Sequence, residues 1–425
     1  MADVRPFRAY RPKAGLEAQV AALPYDVYNR AEAKEAVKDK PLSFLRIDRA
    51  ETAFPDDVDT YDERVYEKAA ALYEERKKDG TFVQDDTPCY YLYELTMNGR
   101  TQTGIVAACA AEDYRSGVIK KHENTRADKE QDRIRHVDAL NAQTGPIFLA
   151  YRKNHVLADI LRRYKEMPPA CDFVSEDGIR HRVWVVTDKI TIEEIRRRFA
   201  GTDKIYIADG HHRCASAVKV CEMRKKSRAA AENASPNGAQ FFESDYFLAV
   251  LFADDELRIM DYNRVVKDLH GLSAEEFLAQ VRAQGFHIER AHAAGRGTPE
   301  GYAPKAKHEF GMYLDGVWYR LLYEGALSDD PVEALDVSVL QDKLLSPILG
   351  IGDPRTDKRI DFVGGIRGLG ELVRRCETDM RVAFSLYPTS MEELFAVADA
   401  GRLMPPKSTW FEPKLRSGLF IHDLG

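Results

Sequence analysis

Apolar and polar positions in this chain alternate with the periods of short strands and amphipathic helices. Residues 182–186 and 205–209 predict strands, the first apolar after Arg182 and the second apolar up to Asp209, and residues 192–199 between them have helical spacing. A helix-compatible run at 215–223 follows the second strand, and residues 246–252 are apolar throughout, as a buried strand is. This order of elements predicts an α/β fold around residue 209.

The first third of the chain predicts two helices and a hairpin. Residues 61–78 have the apolar spacing of a helix, and Asn98-Gly99 separates two apolar runs, which predicts a β-hairpin. Residues 129–141 form a charge-rich helix, whereas the prolines at positions 6 and 12 exclude a helix from the N-terminal segment. The apolar segment 21–27 contains Asp26, which is either a turn residue or a carboxylate at a strand end facing the functional cleft.

A second lobe is predicted after about residue 270. Residues 273–284 predict an amphipathic helix capped by Ser273, and Asp315-Gly316 predicts a second hairpin. Residues 336–345 predict a helix that ends before Pro347. We therefore expect two domains, a core at residues 1–270 and a C-terminal α/β lobe at residues 271–425 whose last segment returns to the functional site.

Composition limits the classes of protein to which this chain can belong. Its 425 residues are 44% hydrophobic, which is enough for one large core or two moderate ones. A net charge of −7, with both signs mixed along the chain, disfavours broad nucleic-acid binding. No apolar run approaches the roughly 20 residues that span a bilayer, and neither a secretion signal nor a disulfide framework is suggested. We expect a cytoplasmic protein without membrane or nucleic-acid partners.

The strongest candidate for chemistry is the segment Asp209-Gly210-His211-His212-Arg213, between the second predicted strand and its helix. The N–H groups and the positive end of a helix bind anions, and Gly210 allows a sharp turn and a close approach to the backbone. Arg213 offers a guanidinium fork for phosphate or carboxylate oxygens, while histidines bind metal, donate to phosphate or move protons. A plainer interpretation stays open, in which Asp209 caps the helix and the other side chains are solvated.

A second polar segment, His122-Glu123-Asn124-Thr125, precedes the predicted helix that carries Arg133. Glu123 has the chemistry of a metal ligand or a general base. A zinc-protease motif is excluded, because position 126 holds an arginine where that motif needs its second histidine.

The tail at residues 405–414 cannot be helical because of its prolines. Its polar side chains, from Lys407, Ser408, Thr409 and Lys414, are suited to close over a phosphate or an amino-acid carboxylate. The alternative is a C-terminal strap that is held only by the packing of its two aromatic residues.

Four motifs together resemble the DUF1015 family of bacterial proteins: Leu23-Pro24-Tyr25-Asp26-Val27, His122-Glu123-Asn124-Thr125 with Asp132-Arg133, the turn at 209–213, and the tail at 404–414. The turn itself resembles the Gly-x-x-Arg turn of the ParB/sulfiredoxin-like superfamily, which binds nucleotide phosphates. The resemblance implies a ParB/sulfiredoxin-like α/β core with a mixed sheet. It also implies relatives that phosphorylate free L-serine to O-phosphoserine with ATP, ADP or pyrophosphate. Sulfiredoxins carry a reactive cysteine where this chain has His211, so sulfinic-acid reduction is not expected.

We therefore expect a small-molecule phosphotransferase, a kinase of free L-serine or a similar hydroxy amino acid. Asp209, His211 and Glu123 are the expected ligands of Mg²⁺ or another divalent cation. His212 and Arg213 would stabilise the transferring phosphoryl group, and Asp26 or Glu123 would accept the proton of the acceptor hydroxyl. The remaining residues expected to bind substrate or phosphate are Gly210, His122, Thr125, Arg133, Lys407, Ser408, Thr409 and Lys414.

Two other functions stay open at this point. One is a ParB-like, nucleotide-binding regulator associated with DNA, and the other is a metal-dependent phosphohydrolase that uses the same histidines on water. The sequence carries neither a Walker loop nor a protein-kinase signature, so the phosphoryl donor is undetermined, and homodimerisation is also open.

Overall fold

The computed structural model describes residues 1–125, 127–231, 242–290 and 303–425. The chain divides into two compact units, of which the first comprises Met1–Leu257 and Pro413–Gly425 and the second comprises Arg258–Glu412. The domain boundary expected after residue 270 lies within the second unit, because the strand Tyr262–Val266 pairs in the sheet of that unit.

The described strands are β1 (Val4–Arg5), β2 (Tyr10–Pro12), β3 (Phe82–Gln84), β4 (Tyr90–Met97), β5 (Arg100–Ala110), β6 (Ile119–Lys120), β7 (Ala142–Gln143), β8 (Ile147–Tyr151), β9 (Cys171–Val174), β10 (Arg180–Val186), β11 (Ile205–Asp209), β12 (Tyr246–Ala253), β13 (Ile259–Met260), β14 (Tyr262–Val266), β15 (Phe286–Arg290), β16 (Glu309–Leu314), β17 (Val317–Tyr323), β18 (Ile360–Gly364), β19 (Val382–Leu386), β20 (Trp410–Phe411) and β21 (His422–Asp423). The described helices are α1 (Glu17–Val20), α2 (Arg30–Ala36), α3 (Leu45–Asp48), α4 (Glu63–Lys78), α5 (Ala111–Arg115), α6 (Ala127–Leu140), α7 (His155–Lys165), α8 (Lys189–Ala200), α9 (His211–Ala231), α10 (Ala274–Ala283), α11 (Asp336–Leu340), α12 (Gly368–Thr378) and α13 (Met391–Asp399). None of the described helices combines the length and apolarity that crossing a membrane requires.

A mixed sheet forms the centre of the first unit. Its strands follow the order β6-β11-β8-β12-β5-β4-β10-β9, and β1 pairs with β5. β11 is parallel to β6 and β12 is parallel to β8, whereas the other neighbours are antiparallel. The α/β fold predicted from the sequence is therefore confirmed.

Local sequence signals account for several of these elements. The β4–β5 hairpin turns at Asn98 and Gly99, which have positive φ angles of 50° and 77°. Helix α4 begins after Asp62, whose side chain accepts a hydrogen bond from Arg64 N. The predicted strand at 182–186 and helix at 192–199 correspond to β10 and α8.

Two buried cores hold the first unit together. One lies between a face of the mixed sheet and helices α7, α8 and α9, and it includes Trp184 and Phe247. The other packs α2, α3 and α4 around Phe44 and Tyr73, and it contains Ile421 from the end of the chain. The C-terminal segment is therefore part of the hydrophobic core of the first unit.

The second unit has its own antiparallel sheet, in the order β15-β17-β16-β19-β14-β18. The predicted hairpin at Asp315-Gly316 joins β16 to β17, and Ser273 caps α10 in a reciprocal capping box with Glu276. The predicted helix at 336–345 is α11 followed by a π-helical turn at Gln341–Leu345. Leu372 of α12 packs against this sheet in a separate core.

Candidate functional site

The turn expected to carry the chemistry lies between β11 and α9. The register between β11 and β8 shifts between Ile207 and Asp209, so the strand pairing is irregular immediately before the turn. Gly210 has a φ of +92°, which side chains of L residues rarely tolerate, and α9 begins at His211. The turn therefore leads directly into the amino end of a helix of 21 residues.

Asp209 is held by the C-terminal segment of the first unit. Lys414 Nζ donates to Asp209 Oδ2 at 2.9 Å, and Gly210 N donates to Asp209 Oδ1 at 2.7 Å. Burial by itself would raise the pKa of Asp209, but the charges of Lys414 and Arg213 and these hydrogen bonds hold that pKa well below its usual range. Asp209 is therefore an ionised anchor for Lys414 at neutral pH.

Arg213 lies across the turn. Its Nη1 donates to Pro146 O at 2.8 Å. A Cβ atom on Gly210 would lie 3.3 Å from Nε, 3.4 Å from Cζ and 3.5 Å from Nη2 of Arg213. The glycine therefore leaves room for a guanidinium beside the backbone of the turn.

His122 and His211 form a buried pair at the turn. Their ring centroids lie 4.5 Å apart with an interplanar angle of 84°, and His122 N donates to His211 Nε2 across 3.4 Å. Burial lowers the pKa of His122 to about 4, and burial together with His122 holds the pKa of His211 well below its usual range. Both imidazoles are therefore neutral at pH 7.

The other predicted residues of this region lie around the same helix end. Glu123 Oε2 is 3.8 Å from His211 Nδ1, and the Glu123 side chain is 53% exposed. Thr125 Oγ1 donates to Glu130 Oε2 at 2.7 Å, and the carbonyl of His212 accepts from Ser216 Oγ at 2.7 Å. The structure thus brings the 122–125 segment against the first turn of α9.

The three residues expected to bind a divalent cation do not form a ready ligand set. Both carboxylate oxygens of Asp209 accept hydrogen bonds, and His211 Nε2 accepts the backbone N–H of His122. Across residues 1–125, 127–231, 242–290 and 303–425, no group of three His, Cys, Asp or Glu side chains is arranged to hold a metal ion. Asp209, His211 and Glu123 therefore do not fit a resident Mg²⁺ in this arrangement.

A cleft of about 460 Å³ is bordered by α2, α3, α4 and α6, and we call it the charged cleft. Its walls include Tyr25, Asp48, Arg133 and His136, and the same four residues also line a cavity of about 30 Å³. Arg213 lines that small cavity. The predicted residue Arg133 is therefore connected to the turn through a shared cavity wall.

Arg133 is buried in an ionised network on the wall of the charged cleft. Its Nε donates to Asp132 Oδ2 at 2.9 Å, Tyr66 OH donates to Asp132 Oδ1 at 2.8 Å, and Arg133 Cζ lies 3.9 Å from the centre of the Tyr25 ring. Burial by itself would lower the pKa of Arg133, but Asp132, Tyr25 and Asp48 raise it above its usual range. Arg133 therefore remains charged inside the protein.

Asp26 also lines the charged cleft, but it does not lie at a strand end. It belongs to a 3₁₀ turn at Tyr25–Val27, because Arg49 Nη1 donates to the carbonyls of Tyr25 at 2.9 Å and of Tyr28 at 2.6 Å and so folds this segment back. Asp26 therefore lies in a turn and not at a strand end, and its function at the cleft stays a prediction.

The predicted residues of the tail fall into two groups. Lys414 belongs to the first unit and contacts the turn, whereas Lys407, Ser408 and Thr409 belong to the second unit. Within that unit, Ser408 Oγ donates to Pro405 O at 2.6 Å.

Sequence reasoning gave no role to three residues on the wall of the charged cleft: Asp48, Glu51 and His136. His136 lies three residues after Arg133 on α6, and this spacing indicates a common face, but charge-rich helices are more often solvated surfaces. Asp48 carried no such signal, because its hydrogen-bond partner Thr144 is 96 residues away in the sequence.

Comparison with solved structures finds remote similarity to several chains, including a free serine kinase, SbnI and a conserved hypothetical protein. A free serine kinase variant in complex with AMP is 14% identical, with 72% of this chain and 87% of that chain covered and a TM-score of 0.34. SbnI with C-terminal truncation from Staphylococcus aureus is 12% identical, with 72% and 82% covered and a TM-score of 0.33. A conserved hypothetical protein from Pyrococcus furiosus is 15% identical, with 74% and 93% covered and a TM-score of 0.32. Similarity at this level carries no conclusion about activity.

Comparison of the sequence with protein families and with curated proteins gives one match. No curated protein matches the chain significantly. Residues 4–338 match the family model DUF1015, which is described as a protein of unknown function. That range includes the turn, the His122–Thr125 segment and the walls of the charged cleft. The chain therefore belongs to the DUF1015 family.

Proposed function

We propose that this protein is a small-molecule kinase that transfers a phosphoryl group from ATP, ADP or pyrophosphate to a hydroxyl group. Free L-serine is the first acceptor to test, because the sequence motifs resemble a superfamily that includes free serine kinases. The geometry of the turn and of the charged cleft supports the phosphotransfer itself.

The observation that carries the proposal is an excess of positive charge among five side chains at the turn, those of Lys121, Glu123, Asp209, Arg213 and Lys414. Lys414 and Arg213 both act on a single carboxylate, that of Asp209. Lys121 and Glu123 on the neighbouring segment contribute one charge of each sign. The amino end of α9 adds the positive end of a helix dipole and the N–H groups of its first turn. A phosphoryl group is the ligand that such a turn would favour.

The neutral histidines suit the transfer of a phosphoryl group at this position. An uncharged imidazole donates one N–H to a phosphate oxygen, or passes a proton, without adding a fixed charge. His122 and His211 are held in that state by burial. Arg213 would then supply the charge that stabilises the transferring group.

The charged cleft is the proposed acceptor site. It shares wall residues with the small cavity that Arg213 lines, and the proposal places the hydroxyl group of a bound acceptor on the side of that cavity. Asp26 lines the cleft and is the proposed proton acceptor, with Glu123 as the alternative. No step is assigned to a metal ion, because the expected ligands are not arranged to hold one.

Phosphorus NMR tests this proposal in one experiment. Purified protein is mixed with Mg²⁺ and L-serine, and ATP, ADP and pyrophosphate are offered in separate samples. We expect O-phosphoserine with one of the three donors. The variant Arg213→Ala should lose about a hundredfold or more in rate, as removal of one donor to a developing negative charge commonly does.

The matched control is Arg224→Ala, about three turns further along α9, where the arginine pairs with Asp138 at 3.2 Å. This variant should keep the wild-type rate. Consumption of the donor with release of phosphate alone would contradict the kinase and indicate a phosphohydrolase. A folded Arg213→Ala variant with an unchanged turnover rate would show that Arg213 does not stabilise the transferring phosphoryl group.

A further inference from the structure

The charges of five side chains that line the charged cleft do not balance. Arg133 contacts Asp132 directly, and Arg49 pairs with Glu51. Asp48 is the third buried carboxylate of the cleft, with only 5% of its surface exposed. These five groups leave one negative charge in excess.

Asp48 is hydrogen-bonded, but no lysine or arginine among the described residues forms a salt bridge with it. Thr144 Oγ1 donates to Asp48 Oδ1 at 3.0 Å, and His136 Nε2 lies 3.9 Å from the same oxygen. Burial and the charge of Arg133 lower the pKa of His136, against the opposing effect of the Asp48 charge, so this imidazole favours its neutral form. A buried carboxylate that faces a cavity without a contacting cation is costly, and a cationic ligand would offset that cost.

Asp48 and Arg213 line the same cavity of about 30 Å³, and Asp48 also lines the charged cleft. A molecule in the cleft would therefore meet a carboxylate on the way to the cationic turn. The charge is negative at Asp48 and positive at Arg213. This arrangement fits a small molecule with an ammonium group near Asp48 and, a few bonds away, a group that is anionic or becomes anionic by phosphorylation. Amino alcohols and hydroxy amino acids have this composition.

We propose that the charged cleft binds a small molecule through a primary ammonium group, and that Asp48 accepts hydrogen bonds from that group. Only the identification of this molecule as the phosphoryl acceptor rests on the proposed function. Asp48 is thereby the residue that distinguishes an amino compound from the corresponding hydroxy compound.

Calorimetric binding to the full-length protein, without any phosphoryl donor, tests this inference. The three probes are L-serine, glycerate, in which a hydroxyl replaces the ammonium group, and ethanolamine, which lacks the carboxylate. We expect L-serine and ethanolamine to bind, and glycerate to bind about tenfold to a hundredfold more weakly than L-serine, which is the usual effect of losing a charge-assisted hydrogen bond.

Two variants assign the preference to a residue. Asp48→Asn keeps the shape of the side chain, so it should abolish the preference for L-serine over glycerate. Asp113→Asn is the matched control, because Asp113 is also buried, at 7% exposure, but hydrogen-bonds Asp3 N away from the cleft. This control should keep the wild-type preference.

Several outcomes would overturn the inference. Equal binding of glycerate and L-serine by the wild-type protein would do so without any variant, and so would an absence of binding by all three probes. A folded Asp48→Asn variant that still prefers L-serine over glycerate would show that Asp48 does not bind the ammonium group and only accepts a hydrogen bond from Thr144.

The experiments distinguish failure of the proposed function from failure of this inference. If the protein binds L-serine and ethanolamine through Asp48 but forms no phosphorylated product, the kinase is wrong and the ammonium site stands. If O-phosphoserine forms but glycerate is bound and phosphorylated equally well, the kinase stands and the ammonium site is wrong.

Discussion

At the scale of a single residue, burial fixes the charge of His181. Its side chain is fully buried, and Nδ1 lies 2.8 Å from Tyr93 OH. Burial, together with the charge of Arg416, lowers the pKa of His181 from 6.5 to about 3. Below about pH 6.5 the unfolded chain binds a proton here that the folded protein does not, so stability falls as the pH decreases. We expect His181→Gln to remove about 2 kcal/mol of the decrease in unfolding free energy between pH 7 and pH 5, measured by urea denaturation.

His155→Gln is the control for this measurement, because His155 is exposed at the start of α7 in the same unit. It should show the pH dependence of the wild-type protein. A His181→Gln variant with the wild-type pH dependence would show that the buried imidazole does not resist protonation.

Residues of the site differ in how far the sequence could predict them. The turn could be predicted, because a strand, a glycine and a helix start are encoded in adjacent residues. The pairing of Asp209 with Lys414 spans 205 residues, and that of Asp48 with Thr144 spans 96. Such long-range contacts follow from tertiary packing. The sequence therefore did not indicate Asp48, and it indicated Lys414 without showing that Lys414 pairs with Asp209.

At the scale of elements, the junction between β11 and α9 depends on Gly210. Alanine there would have to adopt a φ near +92°, and its Cβ would lie 3.3 Å from Arg213 Nε. We expect Gly210→Ala to lower the free energy of unfolding by about 1–2 kcal/mol and to shift the guanidinium of Arg213 slightly, which should lower the rate of phosphoryl transfer. Urea denaturation measures the first effect, and phosphoryl transfer measures the second.

Gly201→Ala is the matched control, because Gly201 follows α8 with a φ of −91° and a new Cβ would lie 3.6 Å from its nearest neighbour. This variant should be neutral, or more stable by up to about 1 kcal/mol. Equal effects of the two substitutions would show that the positive φ at Gly210 carries no strain penalty.

Elements with their own start and stop signals were predictable, as the Asn98-Gly99 hairpin and the Ser273-capped helix show. The sequence left two alternatives for the segment at Tyr25–Val27, because its turn depends on hydrogen bonds from Arg49 on a different segment. The order of strands in the sheet was also beyond the sequence, since β11 pairs with β6 and β8 rather than with its neighbours in the chain.

At the scale of the whole molecule, the first unit is completed by Pro413–Gly425. This segment buries five large apolar side chains, those of Leu415, Leu419, Phe420, Ile421 and Leu424. Each contributes about 1.5–3 kcal/mol when buried, and together they match the roughly 5–15 kcal/mol that stabilises a typical protein.

We expect a chain truncated after Glu412 to lack a cooperative unfolding transition in the first unit, as measured by circular dichroism and calorimetry. A variant that lacks only the exposed Gly425 should unfold as the wild type does.

The late position of Lys414 also has a consequence for synthesis on the ribosome. The 257 residues that open the first unit emerge before the second unit, and the segment that closes their core and reaches Asp209 emerges after it. At about 5–20 residues per second, the second unit of about 150 residues imposes a delay of about 10–30 seconds. During that interval the nascent chain holds a mixed sheet with an unfinished core and a turn without its lysine. Chaperone binding to nascent chains should therefore persist until Pro413–Gly425 has left the ribosome, and a product terminated before this segment would be both unstable and inactive.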